Sequence, residues 1–150
     1  MKSLFRLILV LAITSLSHGA LAQGMPQVPP DLSAPEARQL QESGKLLLVD
    51  VRTPQEWRQT GVAEGVMRLN MRHPGGGDGF IEDLLRQVDG DRNAPIGLIC
   101  RTGNRTTHLQ RYLVAQGFTQ VYNVKEGMAG SAAGPGWLRR GLPTDPCRSC

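Results

Sequence analysis

Short, mainly apolar segments alternate with longer segments along the central part of the chain. Two of the apolar segments are nearly continuous, at residues 46–51 and 96–100, and two more strand-like segments occur at 66–69 and 120–124. Runs of this kind are typical of strands buried on both faces of a sheet. The longer segments between them carry apolar residues at helical spacing. This order of elements predicts an α/β fold in which helices pack on a central parallel sheet.

Polar residues at characteristic spacings mark where several helices begin. Ser33 with Glu36, and Thr53 with Glu56, have the spacing of a capping box, in which each side chain bonds the backbone amide of the other residue. The two pairs predict helix starts just before the first strand and just after it. Asp78 is a candidate cap for a third helix.

The N-terminus has the pattern of a secretory signal. Lys2 and Arg6 precede a short apolar run at residues 7–16, and the small residues of an Ala-x-Ala site follow at 20–22. A basic start, a short apolar stretch and a small-residue cleavage site predict a signal peptide spanning residues 1–22. The apolar run is too short to cross a bilayer, which takes about 20 residues.

Removal of a signal peptide affects both the net charge of the mature protein and the compartment in which it is expected. The formal net charge of +4 falls to +2 without Lys2 and Arg6, and this small, scattered excess does not favour a nucleic-acid partner. The mature protein is expected in an oxidising compartment, the bacterial periplasm, with no membrane attachment after cleavage. Residues 23–32 contain three prolines and are expected to form an irregular leader.

Cys100 is the strongest candidate for chemistry. It ends a predicted strand and is followed by a compact loop, residues 101–106, that runs into a helix. Gly103 permits a tight turn, so that backbone amides point toward one spot and, with Arg101 and Arg105, stabilise a sulfur anion. A buried structural thiol is the alternative. The Gly- and Arg-containing loop favours a reactive role.

The string Cys-Arg-Thr-Gly-Asn-Arg-Thr at residues 100–106 resembles the active-site loop of the rhodanese family, which begins with the cysteine that carries a persulfide. Further matches follow in the family's order at residues 50–52, 56–57, Gly61, Gly65, 121–127, Trp137 and 141–143. The resemblance implies a rhodanese-like domain at 33–143, with a central parallel sheet of about five strands and helices on both faces. Residues 144–150 then form a C-terminal tail.

The resemblance also implies an activity and its partners. A rhodanese moves sulfane sulfur from a small anionic donor such as thiosulfate to a thiophilic acceptor, cyanide or a thiol, by double displacement through the Cys100 persulfide. It needs no cofactor. The enzyme class implied is a thiosulfate sulfurtransferase.

Residues around the cysteine receive roles from this resemblance. The expected substrate-binding loop consists of Arg101, Thr102, Gly103, Asn104 and Arg105. Arg101 is the candidate for orienting the anionic donor, whereas Arg105 is expected to be structural and paired with Asp50 or a nearby carboxylate. Asp50 and Arg52 are expected to be a buried, hydrogen-bonded support of the loop.

Two departures from the family pattern affect the entrance to the site. Residues 62–64 are Val-Ala-Glu where the family often has His-Ile-Pro, and residues 129–136 form an unusual stretch of small residues. These changes are expected to affect the choice of substrate rather than the fold.

Other classes of function fit less well. Phosphatases and arsenate reductases of similar layout need five residues between the cysteine and an arginine, whereas four separate Cys100 from Arg105, and Thr106 occupies the required position. A binding module of the same fold that senses sulfur without turnover remains an alternative. A thiol-redox protein that uses Cys100 together with Cys147 and Cys150 is another.

Cys147 and Cys150 form a C-x-x-C motif in the tail. It is interpreted as an exposed disulfide that closes a small loop, or as a relay that accepts sulfur from Cys100 and connects to a thiol-relay protein. A thioredoxin-like site is disfavoured because no helix follows the motif. No metal site is expected, since the three histidines lack ligand spacing.

Overall fold

The computed structural model describes residues 27–150, and within them a four-stranded parallel sheet carries the fold. In chain order the elements are α1 (Ala34–Glu42), β1 (Leu47–Asp50), α2 (Pro54–Thr60), β2 (Val62–Ala63), β3 (Met67–Arg68), α3 (Gly76–Gln87), β4 (Ile96–Ile99), α4 (Asn104–Ala115), β5 (Val121–Asn123), α5 (Gly136–Arg139) and β6 (Thr144–Asp145). The sheet order is β3-β1-β4-β5. Strand β4 is buried along its whole length, as its apolar run predicts.

The predicted fold class is confirmed, although the sheet has four strands rather than about five. A single parallel bridge between Leu32 and Val124 extends the β5 edge by one residue pair without forming a strand. Strands β2 and β6 lie apart from the sheet and pair antiparallel with each other. The proline-rich composition just before residue 32 explains why the extra edge strand does not grow, because proline lacks the amide that a ladder needs.

Helices cover both faces of the sheet. One core cluster joins the sheet to α3 and α4 through residues such as Leu84 and Leu113. The other joins the opposite face to α1 and α5 through residues such as Ala37 and Trp137. Successive residues of β4 belong to different clusters, since Leu98 faces the first and Ile99 the second.

Both predicted capping boxes are present. Ser33 and Glu36 cap α1, and Thr53 and Glu56 cap α2. Asp78 does not cap α3, because that helix begins two residues earlier at Gly76 and has no side-chain cap. Asp78 lies instead in the first turn, where a negative charge complements the helix dipole.

The predicted signal peptide and the first four residues of the leader, 23–26, lie outside the described residues, and the proposed domain boundaries stay predictions. None of the helices between residues 27 and 150 has the length and apolar character needed to span a bilayer.

Candidate active site

Cys100 lies directly after β4, at the carboxyl edge of the parallel sheet where ligands of α/β proteins bind. Its side chain is fully buried, and its Sγ lies 3.4 Å from the hydroxyl oxygen of Thr106. Thr106 donates its single hydroxyl hydrogen to the carbonyl oxygen of Gly103 at 3.0 Å. In this arrangement the Cys100 thiol is the donor to Thr106. A hydroxyl rotates about its C–O bond, so Thr106 can donate to a thiolate at Cys100 in place of the Gly103 carbonyl.

The loop after Cys100 offers a series of free backbone donors. Within residues 27–150, none of the backbone amides of residues 101–106 donates a hydrogen bond to a protein acceptor. The first helical bond of α4 runs from Thr107 to Gly103, which places the last of these amides in the first turn of the helix. Unpartnered amides at a helix start attract anions.

A segment of backbone behind the loop fixes its shape. Met128 donates to the Cys100 carbonyl at 2.9 Å, and Ala129 donates to the Arg101 carbonyl at 2.8 Å. Gly103 has a φ of +80°, and a Cβ there would lie 2.0 Å from the carbonyl oxygen of Lys125. No other residue type fits this position, because both the backbone conformation and the space require glycine.

An ion pair joins the loop to α2. Arg105 donates to both carboxylate oxygens of Glu56, at 2.9 and 2.5 Å, and the two side chains are partly buried. Burial alone would raise the pKa of Glu56, but the hydrogen bonds and charge of Arg105 and the bonds from Thr53 lower it to about 2. The hydrogen bonds that Arg105 donates to Glu56 also raise the pKa of Arg105 against the opposing effect of burial, with a smaller contribution from Cys100. Arg105 is thus paired with a nearby carboxylate, and that carboxylate is Glu56 rather than Asp50.

Asp50 and Arg52 form a separate buried pair. Their exposed fractions are 0% and 1%, and Arg52 Nη2 lies 2.7 Å from Asp50 Oδ2. The remaining guanidinium donors reach Thr60 and the Gly61 carbonyl, both at 2.7 Å. Arg52 therefore ties the end of α2 to the end of β1, beside the cysteine loop.

An open cleft of about 180 Å³ borders the loop. Its lining residues come from α2 and the chain just before it, from the loop, and from residues 128–138: Arg52, Glu56, Gln59, Thr60, Arg101, Met128, Ala129 and Leu138. Arg101 is exposed, and its side chain has no carboxylate partner among residues 27–150. Arg52 and Glu56 are already paired. The guanidinium of Arg101 is therefore the uncompensated charge that a ligand in the cleft meets.

Thr102 is half-buried and Asn104 is exposed on the same loop. In the described part of the chain, neither side chain makes a hydrogen bond that fixes it.

Glu126 is a structural residue that the sequence analysis noted only within a family match. Its carboxylate accepts from the backbone amides of Ala34 and Gly136, each at 2.7 Å, and from Arg140. These bonds lower its pKa although burial opposes them. Glu126 thereby fixes the far end of the small-residue stretch, at Gly136, beside the cleft.

Cys147 and Cys150 are joined as a disulfide. The expectation that it is exposed is wrong for Cys147, which is buried against Trp57 and Val62. Arg68 Nη1 donates to both sulfurs, at 2.6 Å to Cys147 and 2.8 Å to Cys150. Cys100 is the one free cysteine in residues 27–150.

Known proteins resemble this chain in both sequence and structure. Residues 33–133 match the model of the rhodanese-like domain. The chain is 34% identical over 101 residues to the thiosulfate sulfurtransferase GlpE of Pseudomonas syringae pv. syringae, covering 67% of this chain and 81% of that protein. It is 31% identical over 107 residues to a sulfurtransferase of Allochromatium vinosum, covering 71% and 85% of the two chains.

Two solved structures have a similar fold. Rv0390 from M. tuberculosis aligns with a TM-score of 0.63 at 29% identity, covering 80% of this chain and 99% of that one. The polysulfide-sulfur transferase homodimer from Wolinella succinogenes aligns with a TM-score of 0.56 at 29% identity, covering 76% of each chain.

Proposed function

The chain belongs to the rhodanese-like family, and we propose that it is a sulfurtransferase that carries sulfane sulfur as a persulfide on Cys100. The proposed donor is a small anion such as thiosulfate, and the proposed acceptor is cyanide or a thiol. The observation that carries the proposal is the cysteine at the carboxyl edge of the sheet, followed directly by six backbone amides that have no acceptor among residues 27–150. Relatives named as sulfurtransferases support it.

In the first half-reaction the Cys100 thiolate attacks the outer sulfur of the donor. A new bond forms between Sγ and that sulfur, the sulfur–sulfur bond of thiosulfate breaks, and its electron pair leaves with sulfite. The persulfide that remains is an anion. The free amides of residues 101–106 and the hydroxyl of Thr106 supply donors for it before and after the transfer.

In the second half-reaction the acceptor attacks the outer sulfur of the persulfide. The sulfur–sulfur bond breaks, and its electron pair returns to Sγ as the thiolate, which the same amides stabilise. Cyanide leaves as thiocyanate, and a thiol leaves as a persulfide.

Arg101 gives the site its preference for an anionic donor. Its guanidinium borders the cleft without an ion-pair partner among the described residues, whereas Arg105 and Arg52 are neutralised by Glu56 and Asp50. A cleft of about 180 Å³ suits an anion of a few atoms better than a macromolecule. The proposed role of Arg101 is therefore to bind and orient the donor.

The proposed place of action is the periplasm, after removal of residues 1–22. This follows from the N-terminal pattern and agrees with the disulfide between Cys147 and Cys150, since disulfides persist in oxidising compartments. Neither a nucleic-acid partner nor a membrane attachment of the mature protein belongs to the proposal.

Intact mass spectrometry after thiosulfate treatment tests the proposal. The mature protein is compared with a Cys100→Ser variant, which differs by one atom at the reacting position. A gain of one sulfur in the wild type alone supports a persulfide on Cys100. If the wild type gains no sulfur from thiosulfate or from polysulfide while Cys100 is reduced and alkylatable, the sulfurtransferase proposal fails in favour of a binding or redox module.

A further inference from the structure

We propose that Cys147 and Cys150 form a second reactive site, whose reduced dithiol takes the sulfane sulfur from Cys100 and releases it as sulfide. This inference rests on the proposed function and names the thiol acceptor that the proposal leaves open. Two groups beside the disulfide support it, together with its position relative to Cys100.

The first group is Arg68, whose charge suits the reduced state better than the oxidised one. Its Nη1 lies within hydrogen-bonding distance of both sulfurs. In residues 27–150 it has no carboxylate partner, and a disulfide sulfur is a neutral, weak acceptor. Reduction creates a thiolate, which a guanidinium at this position stabilises. A disulfide whose reduced form is stabilised is more easily reduced, which is the property of a reactive pair.

The second group is Trp57, which is 7% exposed and packs with Cys147. Its indole Nε1–H has no hydrogen-bond partner in the described part of the chain. A buried donor without an acceptor is unfavourable, so the oxidised state leaves an unmet requirement at this cluster. Neither sulfur of the disulfide accepts from this donor, so the indole gains a sulfur acceptor only when a sulfur moves as the disulfide opens.

The two sulfur sites occupy the same edge of the sheet. Arg68 and Ile99 flank Asp50 on its two sides in register, so their Cα atoms are about 10 Å apart, or two strand spacings. Cys100 follows Ile99, and the disulfide lies on Arg68. The cleft that borders the cysteine loop and the depression beside Cys147 share Gln59 and Thr60 as lining residues.

The tail leaves Cys150 more freedom to move than Cys147 once the disulfide opens. The last strand before the tail is β6, which ends at Asp145 and is paired with β2. Cys150 lies five residues further on, a span of at most about 17 Å when extended, whereas Cys147 lies only two residues on. Cys150 is also the less buried of the two. We therefore assign the attack to Cys150 and the resolving step to Cys147.

The chemistry balances with the dithiol as the reductant. The Cys150 thiolate attacks the outer sulfur of the Cys100 persulfide, the sulfur–sulfur bond breaks, and Cys100 leaves as a thiolate. Cys147 then attacks the Sγ of Cys150, and the outer sulfur departs with the electron pair as hydrosulfide. The two electrons that reduce sulfane sulfur to sulfide come from the two thiols, which end as the disulfide.

A further turnover needs a dithiol reductant from outside the chain. The chemical class that fits is a thiol–disulfide oxidoreductase or a small dithiol, which exchanges with the disulfide at Cys150, the more accessible sulfur. This is the thiol-relay partner expected from the C-x-x-C motif.

A single-turnover experiment on the full mature chain tests the inference. The protein is reduced, freed of reductant without oxygen, and given one equivalent of thiosulfate. Released sulfide and free thiols are then measured. The expected result in the wild type is one sulfide per chain and the loss of the thiols of Cys147 and Cys150 as a disulfide.

Single serine variants identify the order of steps. In Cys147→Ser the transferred sulfur is expected to remain on Cys150, where peptide mass spectrometry finds it, because nothing resolves the new persulfide. In Cys150→Ser it is expected to remain on Cys100. Sulfide released by both variants at the wild-type rate overturns the inference.

Arg68→Met tests the electrostatic part, with Arg72→Met as the matched control because Arg72 is an exposed arginine outside the cluster. Loss of one charge-assisted hydrogen bond is expected to shift the equilibrium with glutathione about tenfold toward the disulfide. Equal equilibrium constants for the two variants contradict the assigned role of Arg68.

Failure of this inference is distinct from failure of the proposed function. If Cys100 gains sulfur and the serine variants release sulfide like the wild type, the sulfurtransferase proposal stands and the dithiol acceptor is wrong. If Cys100 gains no sulfur from any donor, the proposed function itself fails.

Discussion

The carboxylate of Glu56 binds Arg105 through both of its oxygens while also capping the helix on which it lies. One side chain therefore fixes the start of α2 and the end of the cysteine loop. Because Arg105 belongs to the loop that follows Cys100, the position of α2 and the shape of the anion site depend on each other.

We expect the stability of the protein to fall in acid partly through Glu56. Its pKa is about 2 in the folded protein and about 4.3 when unfolded, so its contribution is complete above pH 4.3 and is lost as the pH falls toward 2. Glu56→Gln keeps a cap acceptor but loses the charge, at an expected cost of about 2–3 kcal/mol at neutral pH. Urea unfolding across this pH range measures both effects.

Glu36→Gln is the matched control for that variant, since Glu36 occupies the same capping-box position of α1 without an arginine partner. A loss for Glu36→Gln as large as for Glu56→Gln assigns the effect to capping rather than to Arg105.

Gly103→Ala is expected to lower both stability and sulfur transfer. The substitution puts a Cβ 2.0 Å from the Lys125 carbonyl and strains a φ of +80°. Gly44→Ala is the control, because Gly44 has a φ of +68° but nothing within 4 Å of its Cβ. The strained backbone conformation costs about 1 kcal/mol of unfolding free energy in both variants. Any further loss in Gly103→Ala measures the clash of the new Cβ with the Lys125 carbonyl. Equal unfolding midpoints contradict the close packing of the loop.

Arg101→Gln is expected to raise the KM for thiosulfate about tenfold, with little change in unfolding midpoint. The reason is that Arg101 is exposed and unpaired among the described residues, so its charge is available to the anion. Arg111→Gln removes an exposed arginine of α4 away from the cleft and serves as the control. Similar KM values for the two variants refute the donor-binding role.

Asp50→Asn is expected to destabilise the protein by about 3–5 kcal/mol, because it leaves the buried guanidinium of Arg52 without its counter-charge. Glu82→Gln breaks the exposed pair with Arg86 and is expected to cost less than about 1 kcal/mol. Chemical denaturation of both variants makes the comparison. A small loss at Asp50 would show that solvent reaches Arg52.

The parts of the site that depend on local sequence were predictable. Capping boxes act over three residues, and a cysteine that ends a parallel strand must lie at the carboxyl edge. The position of Cys100 and its loop follows from the order of strands and helices alone.

Contacts between distant residues were not predictable in the same way. Glu56 and Arg105 are 49 positions apart, and the capping-box spacing already accounts for Glu56. The burial of Cys147 depends on the pairing of β6 with β2, two strands of two residues each that have no recognisable apolar pattern. About five strands were expected in the parallel sheet, and it has four. A match to a family pattern does not show which edge strand a given chain lacks.

The stretch between Glu126 and Trp137 offers a route to altered specificity. Glu126 binds the backbone amides of Gly136 and Ala34. Between Glu126 and Gly136, the side chains of Ser131, Ala132 and Ala133 are exposed and small. Insertions in an anchored surface loop cost little free energy, because closure entropy grows slowly with length. Evolution or protein engineering can therefore rebuild the entrance to the cleft here without altering the loop that holds the sulfur.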